Sequence, residues 1–77
     1  MNILTIKTGN YYDSDYSEYI FRTNRSKREF YDENFNLTEW FLTWLRKNHT
    51  IIYNEYFCDR KNFEVDYYHE DSIELIS

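Results

Sequence analysis

The clearest hydrophobic pattern in the chain lies in residues 35–48, where apolar side chains recur at helical spacing. Counted from Leu37, they stand at i, i+3, i+4, i+7 and i+8, which places them on one continuous stripe of an α-helix. Asn36 can cap the first free N–H groups, and Glu39 stands where a capping box needs an acid. The pattern predicts a helix over residues 37–47 that packs its stripe on the core, formed by Leu37, Trp40, Phe41, Trp44 and Leu45.

Four other segments show the alternation of apolar and polar residues that is typical of β-strands. Residues 2–8 and 18–24 flank a polar loop, which indicates a hairpin with a long connection. Residues 51–58 alternate as well, and a polar turn, DRKN, separates them from a last strand that begins at Phe63. The order β-β-α-β-β predicts an α+β fold, a four-stranded antiparallel sheet with one helix packed across one face. Ile73, Leu75 and Ile76 predict a further short strand or a tail packed on the core.

Length and composition predict a single domain, residues 1–77, with an aromatic core. A chain of this size buries only about 60% of its surface, but each aromatic side chain can bury about 150–250 Å². The sequence has six Phe and two Trp for this purpose, and nine Tyr besides. Because a tyrosine hydroxyl needs a hydrogen-bond partner, we expect several tyrosines at the surface, where they favour interfaces.

Composition also favours a cytoplasmic protein. Cys58 is the only cysteine, so no intramolecular disulfide can form. The first twenty residues lack the pattern of a signal peptide, and no apolar run is long enough to span a bilayer. The chain has one Gly and neither Pro nor Ala, which indicates an A/T-rich coding sequence. This bias favours a phage or mobile-element protein over a small protein of a low-GC bacterium.

The placement of acidic residues is the main functional signal. The sequence has fourteen acidic and nine basic residues. Eight of the acids lie in two segments without Lys or Arg, residues 10–20 and 63–77. Alternate residues of a strand stand about 6.8 Å apart on one face, so the second segment would form a row of carboxylates. The candidate partner-binding residues are Asp13, Asp15, Tyr16, Glu18, Glu64, Asp66, Tyr68, Glu70, Asp71 and Glu74.

Two interpretations of the acidic row remain open. It can simply keep the surface solvated, or it can bind a basic surface of another protein, with tyrosines as binding hot spots. In composition the chain resembles short, acidic, aromatic-rich phage proteins that inhibit host defence or nucleic-acid enzymes. That resemblance implies an inhibitor that mimics nucleic acid and blocks a host complex such as CRISPR-Cas or restriction. A metal site is disfavoured, because charges spread along a strand do not converge on one ion.

Direct nucleic-acid binding is the alternative hypothesis, with an adaptor that lacks mimicry as a further one. The net charge of −5 disfavours binding to nucleic acid or to an anionic membrane. Residues 22–28 nevertheless hold four bases beside aromatic residues that could stack on nucleobases. These bases are Arg22, Arg25, Lys27 and Arg28, with Phe21, Phe30 and Tyr31 nearby.

The sequence carries no catalytic signature, so we expect no enzyme and no cofactor. His49 and His69 lack the spacing of a zinc-binding helix, and Cys58 has no second cysteine. His69 and Glu70 are neighbours on a predicted strand, so their side chains would point to opposite faces.

Overall fold

The computed structural model describes residues 1–10 and 15–69, with the side chains of residues 1–9 and 16–69. This part of the chain forms three strands and two α-helices, with two short 3₁₀ turns. The elements are β1 (Asn2–Asn10), β2 (Asp15–Thr23), a 3₁₀ turn (Lys27–Glu29), α1 (Glu39–Asn48), α2 (Thr50–Cys58), a second 3₁₀ turn (Arg60–Asn62) and β3 (Glu64–His69). The tail predicted at Ile73, Leu75 and Ile76 lies outside the described residues.

The three strands form an antiparallel sheet in the order β2-β1-β3. The β1–β2 hairpin was predicted, but both strands run further than the alternation indicated and meet at the pair Asn10 and Asp15. Gly9, the residue after the predicted strand 2–8, continues the pairing at φ 90°, a conformation that glycine adopts without steric cost. As the central strand, β1 is buried on both faces.

The prediction of a four-stranded sheet with one helix is wrong, because residues 51–58 form helix α2 and not a strand. In the helix, Ile52 and Tyr56 lie four residues apart on one side, and both are buried in the core. The other half of the apparent alternation faces outward, since Ile51 and Phe57 are 70% and 59% exposed. Tertiary packing has overridden the strand preference of this β-branched and aromatic segment. The fold remains a mixed α+β type.

Helix α1 was predicted two residues too early, because Thr38 and not Asn36 is its N-cap. The Thr38 hydroxyl accepts a hydrogen bond from the Phe41 N–H (3.2 Å) and donates one to the Glu29 carbonyl (2.6 Å). The backbone N–H of Asn36 instead donates to the Asp32 carboxylate (3.0 Å), in a turn where Phe35 takes a positive φ of 63°. The cap therefore fixes both the start of α1 and its position against the preceding 3₁₀ turn.

The predicted apolar stripe of α1 is only partly buried. Phe41 and Leu45 face the core, and Leu37, just before the helix, joins them. Trp44 is half-buried against this cluster, whereas Trp40 is 43% exposed. The expectation that both tryptophans lie in the core is therefore wrong for Trp40, which lies at the margin of the stripe.

The core lies between one face of the sheet and the two helices. Its buried members come from β1, β3, both α-helices and the connecting segments, and Tyr19 and Phe21 of β2 pack against them partly buried. A buried hydrogen bond from the Leu37 N–H to the Tyr56 hydroxyl (3.0 Å) ties α2 to the segment before α1. The buried residues of this core cluster are Leu4, Ile6, Phe30, Tyr31, Leu37, Phe41, Leu45, Ile52, Tyr56, Phe63 and Val65.

Candidate functional site

The face of the sheet turned away from the helices, here called the open face, carries the described candidate residues. Leu4 and Ile6 of β1 lie in the core, so the alternate residues of that strand point to the opposite side. Residues paired directly across strands share a face, so the register gives the other members of the open face. They are Tyr16, Glu18, Ile20 and Arg22 of β2, Ile3, Thr5 and Lys7 of β1, and Glu64, Asp66 and Tyr68 of β3.

The open face carries acids on both edge strands with a lysine between them. Lys7 of β1 is opposite Glu18 on one side and Glu64 on the other. Its ammonium lies 3.8 Å from the Glu18 carboxylate, and both side chains are well exposed. Neighbouring strands are about 4.8 Å apart, which separates the two acids by roughly 10 Å. The two acidic segments thus meet on one face, but not as an unbroken row of negative charge.

The next row of paired residues across the sheet has an exposed apolar residue at one end and an exposed acid at the other. Ile20 of β2 is 61% exposed, Thr5 in the middle is buried, and Asp66 of β3 is exposed. One Asp66 carboxylate oxygen accepts a hydrogen bond from the backbone N–H of Tyr67 (2.9 Å), which holds the side chain near its own strand. In the last row, Ile3 lies between the long side chains of Arg22 and Tyr68.

Five of the ten predicted binding residues lie on the open face: Tyr16, Glu18, Glu64, Asp66 and Tyr68. Asp15 belongs to β2, but its side chain is outside the described set. The remaining four, Asp13, Glu70, Asp71 and Glu74, also lie outside the described residues. Sequence reasoning did not expect Lys7 and Arg22 on this face, because Lys7 lies on the strand between the two acidic segments and Arg22 was assigned to the basic segment. The hairpin register was the signal that could have identified both bases.

A groove of about 360 Å³ borders the acids of β3. Its polar side is formed by Lys7, Glu64 and Asp66, and its apolar side includes Phe63 and Phe35. Phe35 is largely exposed and stacks on Tyr31 with the ring centres 5.7 Å apart. Carboxylates beside an aromatic wall fit a lysine or arginine side chain, which has an apolar stem and a cationic head.

The basic segment borders a second, aromatic cleft of about 290 Å³ on the helix-covered side. The Arg25 guanidinium lies over the Trp40 ring at 4.4 Å and also pairs with the Glu29 carboxylate at 3.0 Å. A hydrogen bond from the Ser26 N–H, helped by Arg25, lowers the pKa of Glu29, so the carboxylate stays ionised. Phe21, Phe30, Trp40, Phe41 and Trp44 line the walls.

The structure separates the residues with potential catalytic chemistry. His49 lies between α1 and α2 against Phe21 and Trp44, with ring centres 5.3 and 5.2 Å away. Cys58 ends α2, nine residues and roughly 13 Å along the helix. His69 is on β3, opposite Asn2. Within residues 1–10 and 15–69, no three His, Cys, Asp or Glu residues are grouped so that they could hold a metal ion.

Comparisons with protein-family models, with curated proteins and with solved structures found no match to this chain. In the part of the chain that the structure describes, neither helix has the length and apolar character needed to cross a membrane.

Proposed function

We propose that this chain is a small protein-binding inhibitor that blocks a basic surface of another protein through the β3 side of its open face. The observation that supports this proposal is the pair of exposed carboxylates on an edge strand, Glu64 and Asp66, beside an aromatic groove. Among the described residues, neither of them forms an ion pair. Their charge is therefore open to a cationic partner.

The groove favours a lysine or arginine side chain of the partner as the anchor. The stem of that side chain would lie along Phe35 and Phe63, and its cationic head would reach Glu64 and Asp66. Removing the exposed Phe35 ring from water slows dissociation, while the negative edge raises the association rate and selects the partner. Tyr68, half-buried two residues beyond Asp66, extends the same contact surface.

A nucleic-acid-binding surface is the kind of partner surface that supplies such cations. Its lysines and arginines normally neutralise phosphates, and a row of carboxylates competes for the same groups. With a net charge of −5, the chain as a whole is also attracted to such a surface. We therefore place its action in a host cytoplasm, on a nucleic-acid enzyme or a defence complex such as CRISPR-Cas or restriction, and by binding without catalysis.

The test is a pull-down from the natural host followed by competition with DNA or RNA. The double reversal Glu64→Lys/Asp66→Lys should abolish capture of the partner, because both acids would then repel it. The control Glu33→Lys/Glu39→Lys changes the net charge equally, at exposed positions outside the sheet, and should bind nearly as well as the original. Circular dichroism should show that both variants fold.

Two results would reject the inhibitor hypothesis. One is a partner that still binds the folded Glu64→Lys/Asp66→Lys variant. The other is a partner that holds this protein and its nucleic acid at the same time, which would leave an adaptor without mimicry.

The exposed Trp40 beside Arg25 favours a second candidate, binding of single-stranded nucleic acid. An aromatic ring next to a guanidinium can stack a base and contact a phosphate. This candidate predicts a gel shift with single-stranded RNA at about tens of millimolar salt that weakens steeply as salt increases. Trp40→Ala should remove the shift, and Phe57→Ala, an exposed aromatic residue on α2, should not. Absence of any shift would eliminate it.

A further inference from the structure

Strand β2 presents a long edge of the kind that proteins usually protect. It is nine residues long, and among the described residues β1 is its only neighbour in the sheet. Natural edge strands are commonly guarded by charged side chains, above all Lys, by Pro, by a bulge or by a very short length. The described charges of β2, Glu18 and Arg22, are of opposite sign, so they do not by themselves repel a second copy. The sequence of β2, DYSEYIFRT, contains neither Lys nor Pro, and its pairing with β1 is continuous from Thr23 to Asp15. The outer edge of β2 is therefore suited to pair with another strand.

Apolar side chains flank this edge on both faces of the sheet. On the open face, Ile20 stands at the middle of β2 with most of its surface exposed. On the helix side, Tyr19 borders a shallow hollow together with Ile51, which is also largely exposed. A strand added to the edge would cover apolar surface on both faces, beyond what backbone hydrogen bonding alone requires.

We propose that the occupant is a second copy of this chain, paired antiparallel through β2 with Ile20 opposite Ile20 of the second copy. The two-fold axis would be perpendicular to the sheet, so the six strands would run β3-β1-β2 and then β2-β1-β3 of the second copy. In such a two-fold interface each contact occurs twice, and the same surface serves both copies. The helices of both copies would lie on the same side of the joined sheet.

Charge complementarity selects this register over its neighbours. With Ile20 at the axis, Glu18 lies directly opposite Arg22 of the second copy, and the pair occurs twice. A two-fold axis at Glu18 would place Glu18 opposite Glu18 of the second copy. An axis at Tyr19 would place Glu18 opposite Ile20. An axis at Phe21 would place Arg22 opposite Ile20 of the second copy. Opposite charges directly across an antiparallel pair stabilise it, and like charges destabilise it.

The pairing also continues the alternation of charge across the open face. Within one copy, Glu64, Lys7 and Glu18 already form a row of negative, positive and negative side chains. Arg22 of the second copy would be next in that row, so Glu18 would lie between two bases. On the other face, Tyr19 would lie opposite Phe21 of the second copy. The β3 grooves remain accessible at the two far edges, so this inference stands independently of the proposed inhibitor function.

A charge exchange tests the register. Sedimentation equilibrium should show a monomer–dimer equilibrium for the original chain. Either single variant, Glu18→Arg or Arg22→Glu, places like charges opposite each other twice and should raise the dimer dissociation constant about ten- to a hundredfold. The doubly exchanged variant, Glu18→Arg/Arg22→Glu, restores opposite charges across the axis and should recover dimerisation. Circular dichroism should confirm that each variant folds.

Crosslinking tests the same geometry without changing charge. In a Cys58→Ser background, Ile20→Cys places two thiols directly opposite, with Cβ atoms about 5 Å apart. A short bismaleimide should therefore give a covalent dimer. In the same background, the thiols of Ser17→Cys would be offset by six residues along the strands, about 20 Å, and should not crosslink.

Three outcomes would overturn the proposal. The first is a chain that stays monomeric at every concentration up to that of a sample for NMR. The second is a dimer whose dissociation constant is unchanged by the folded Glu18→Arg variant. The third is crosslinking at position 17 that equals crosslinking at position 20.

Discussion

The two faces of the sheet bury the same central strand by different means. On the covered face, Leu4 and Ile6 lie beneath a layer of side chains from the helices and the connecting segments. On the open face no described element forms a second layer, yet Ile3 is only 4% exposed. It lies between Arg22 and Tyr68, whose long side chains flank it on the neighbouring strands. The same strand is thus buried beneath a layer on one face and, at Ile3, without a described layer on the other.

The difference between the two faces means that one stabilises the fold and the other is available for recognition of a partner. The covered face is held by aromatic contacts such as Phe30 against Phe41 and Tyr56 against Phe63, each with ring centres 5.1 Å apart in edge-to-face geometry. Such pairs add about 0.5–1.5 kcal/mol each beyond the area that they bury. The open face leaves its edge-strand side chains at the surface, where they can contact a partner without loss of the core.

The largest effect is expected on the covered face, at Phe41. Phe41 is almost fully buried and contacts Phe30 and Trp44, so Phe41→Ala should lower the free energy of unfolding by about 3–5 kcal/mol. The control is Trp40→Ala, one residue away but 43% exposed, which should cost about 1 kcal/mol from its contact with Arg25. Urea denaturation measures both, and equal losses would contradict the placement of the stripe.

A smaller effect is expected on the open face, at Ile3. Ile3→Ala should cost about 2 kcal/mol, the lower end of the range for buried isoleucine, because the flanking side chains can close over the gap. Ile20→Ala, exposed on the same face, should change stability by less than about 0.5 kcal/mol when measured below the onset of dimerisation. If Ile3→Ala proved as harmless as Ile20→Ala, the burial of Ile3 would not stabilise this face.

A third prediction concerns the buried hydrogen bond between the Leu37 N–H and the Tyr56 hydroxyl, which ties α2 to the segment before α1. Tyr56→Phe would leave the Leu37 N–H without its acceptor in a buried position, at a cost of about 1–2 kcal/mol. Tyr53→Phe is the matched control, since among the described residues the Tyr53 hydroxyl makes no hydrogen bond. Thermal unfolding of both variants gives the comparison. An unchanged melting temperature for Tyr56→Phe would show that the covered face depends on packing alone.

The smallest effect is expected from pH, at the turns that lead into the covered layer. Hydrogen bonds from the backbone N–H groups of Ser26 and Asn36 lower the pKa values of Glu29 and Asp32, respectively. The unfolded chain therefore binds protons more readily than the folded one, and stability falls as pH falls below the unfolded values of about 4.3 and 3.9. Above that window this contribution is fully present.

Melting temperatures between pH 6 and pH 3 measure this contribution. Glu29→Gln/Asp32→Asn should flatten the decline, whereas Glu33→Gln, at an exposed carboxyl without a hydrogen bond among the described residues, should leave it unchanged. An equal decline for the double variant and the original chain would show that other carboxyl groups determine acid stability.

The sequence alone determined the elements whose hydrophobic period is long and unambiguous. The α1 stripe placed Phe41 and Leu45 in the core, and the alternation that begins at Phe63 placed Glu64 and Asp66 together on the exposed face of a strand. The β1–β2 hairpin was predictable as well, although not its length. In each case the residue pattern itself specifies which side is buried, whatever the rest of the chain does.

Only the tertiary structure decided the secondary structure of residues 51–58 and which residues share the open face. Ile52 and Tyr56 are compatible with a strand or a helix, and the helix prevails because it buries both against α1 and the sheet. Lys7 and Arg22 join the acids through strand register, which depends on pairing between distant segments and not on any local pattern. Where it is unambiguous, local periodicity determines which side of an element is buried, whereas the neighbours that share its surface are determined by long-range packing.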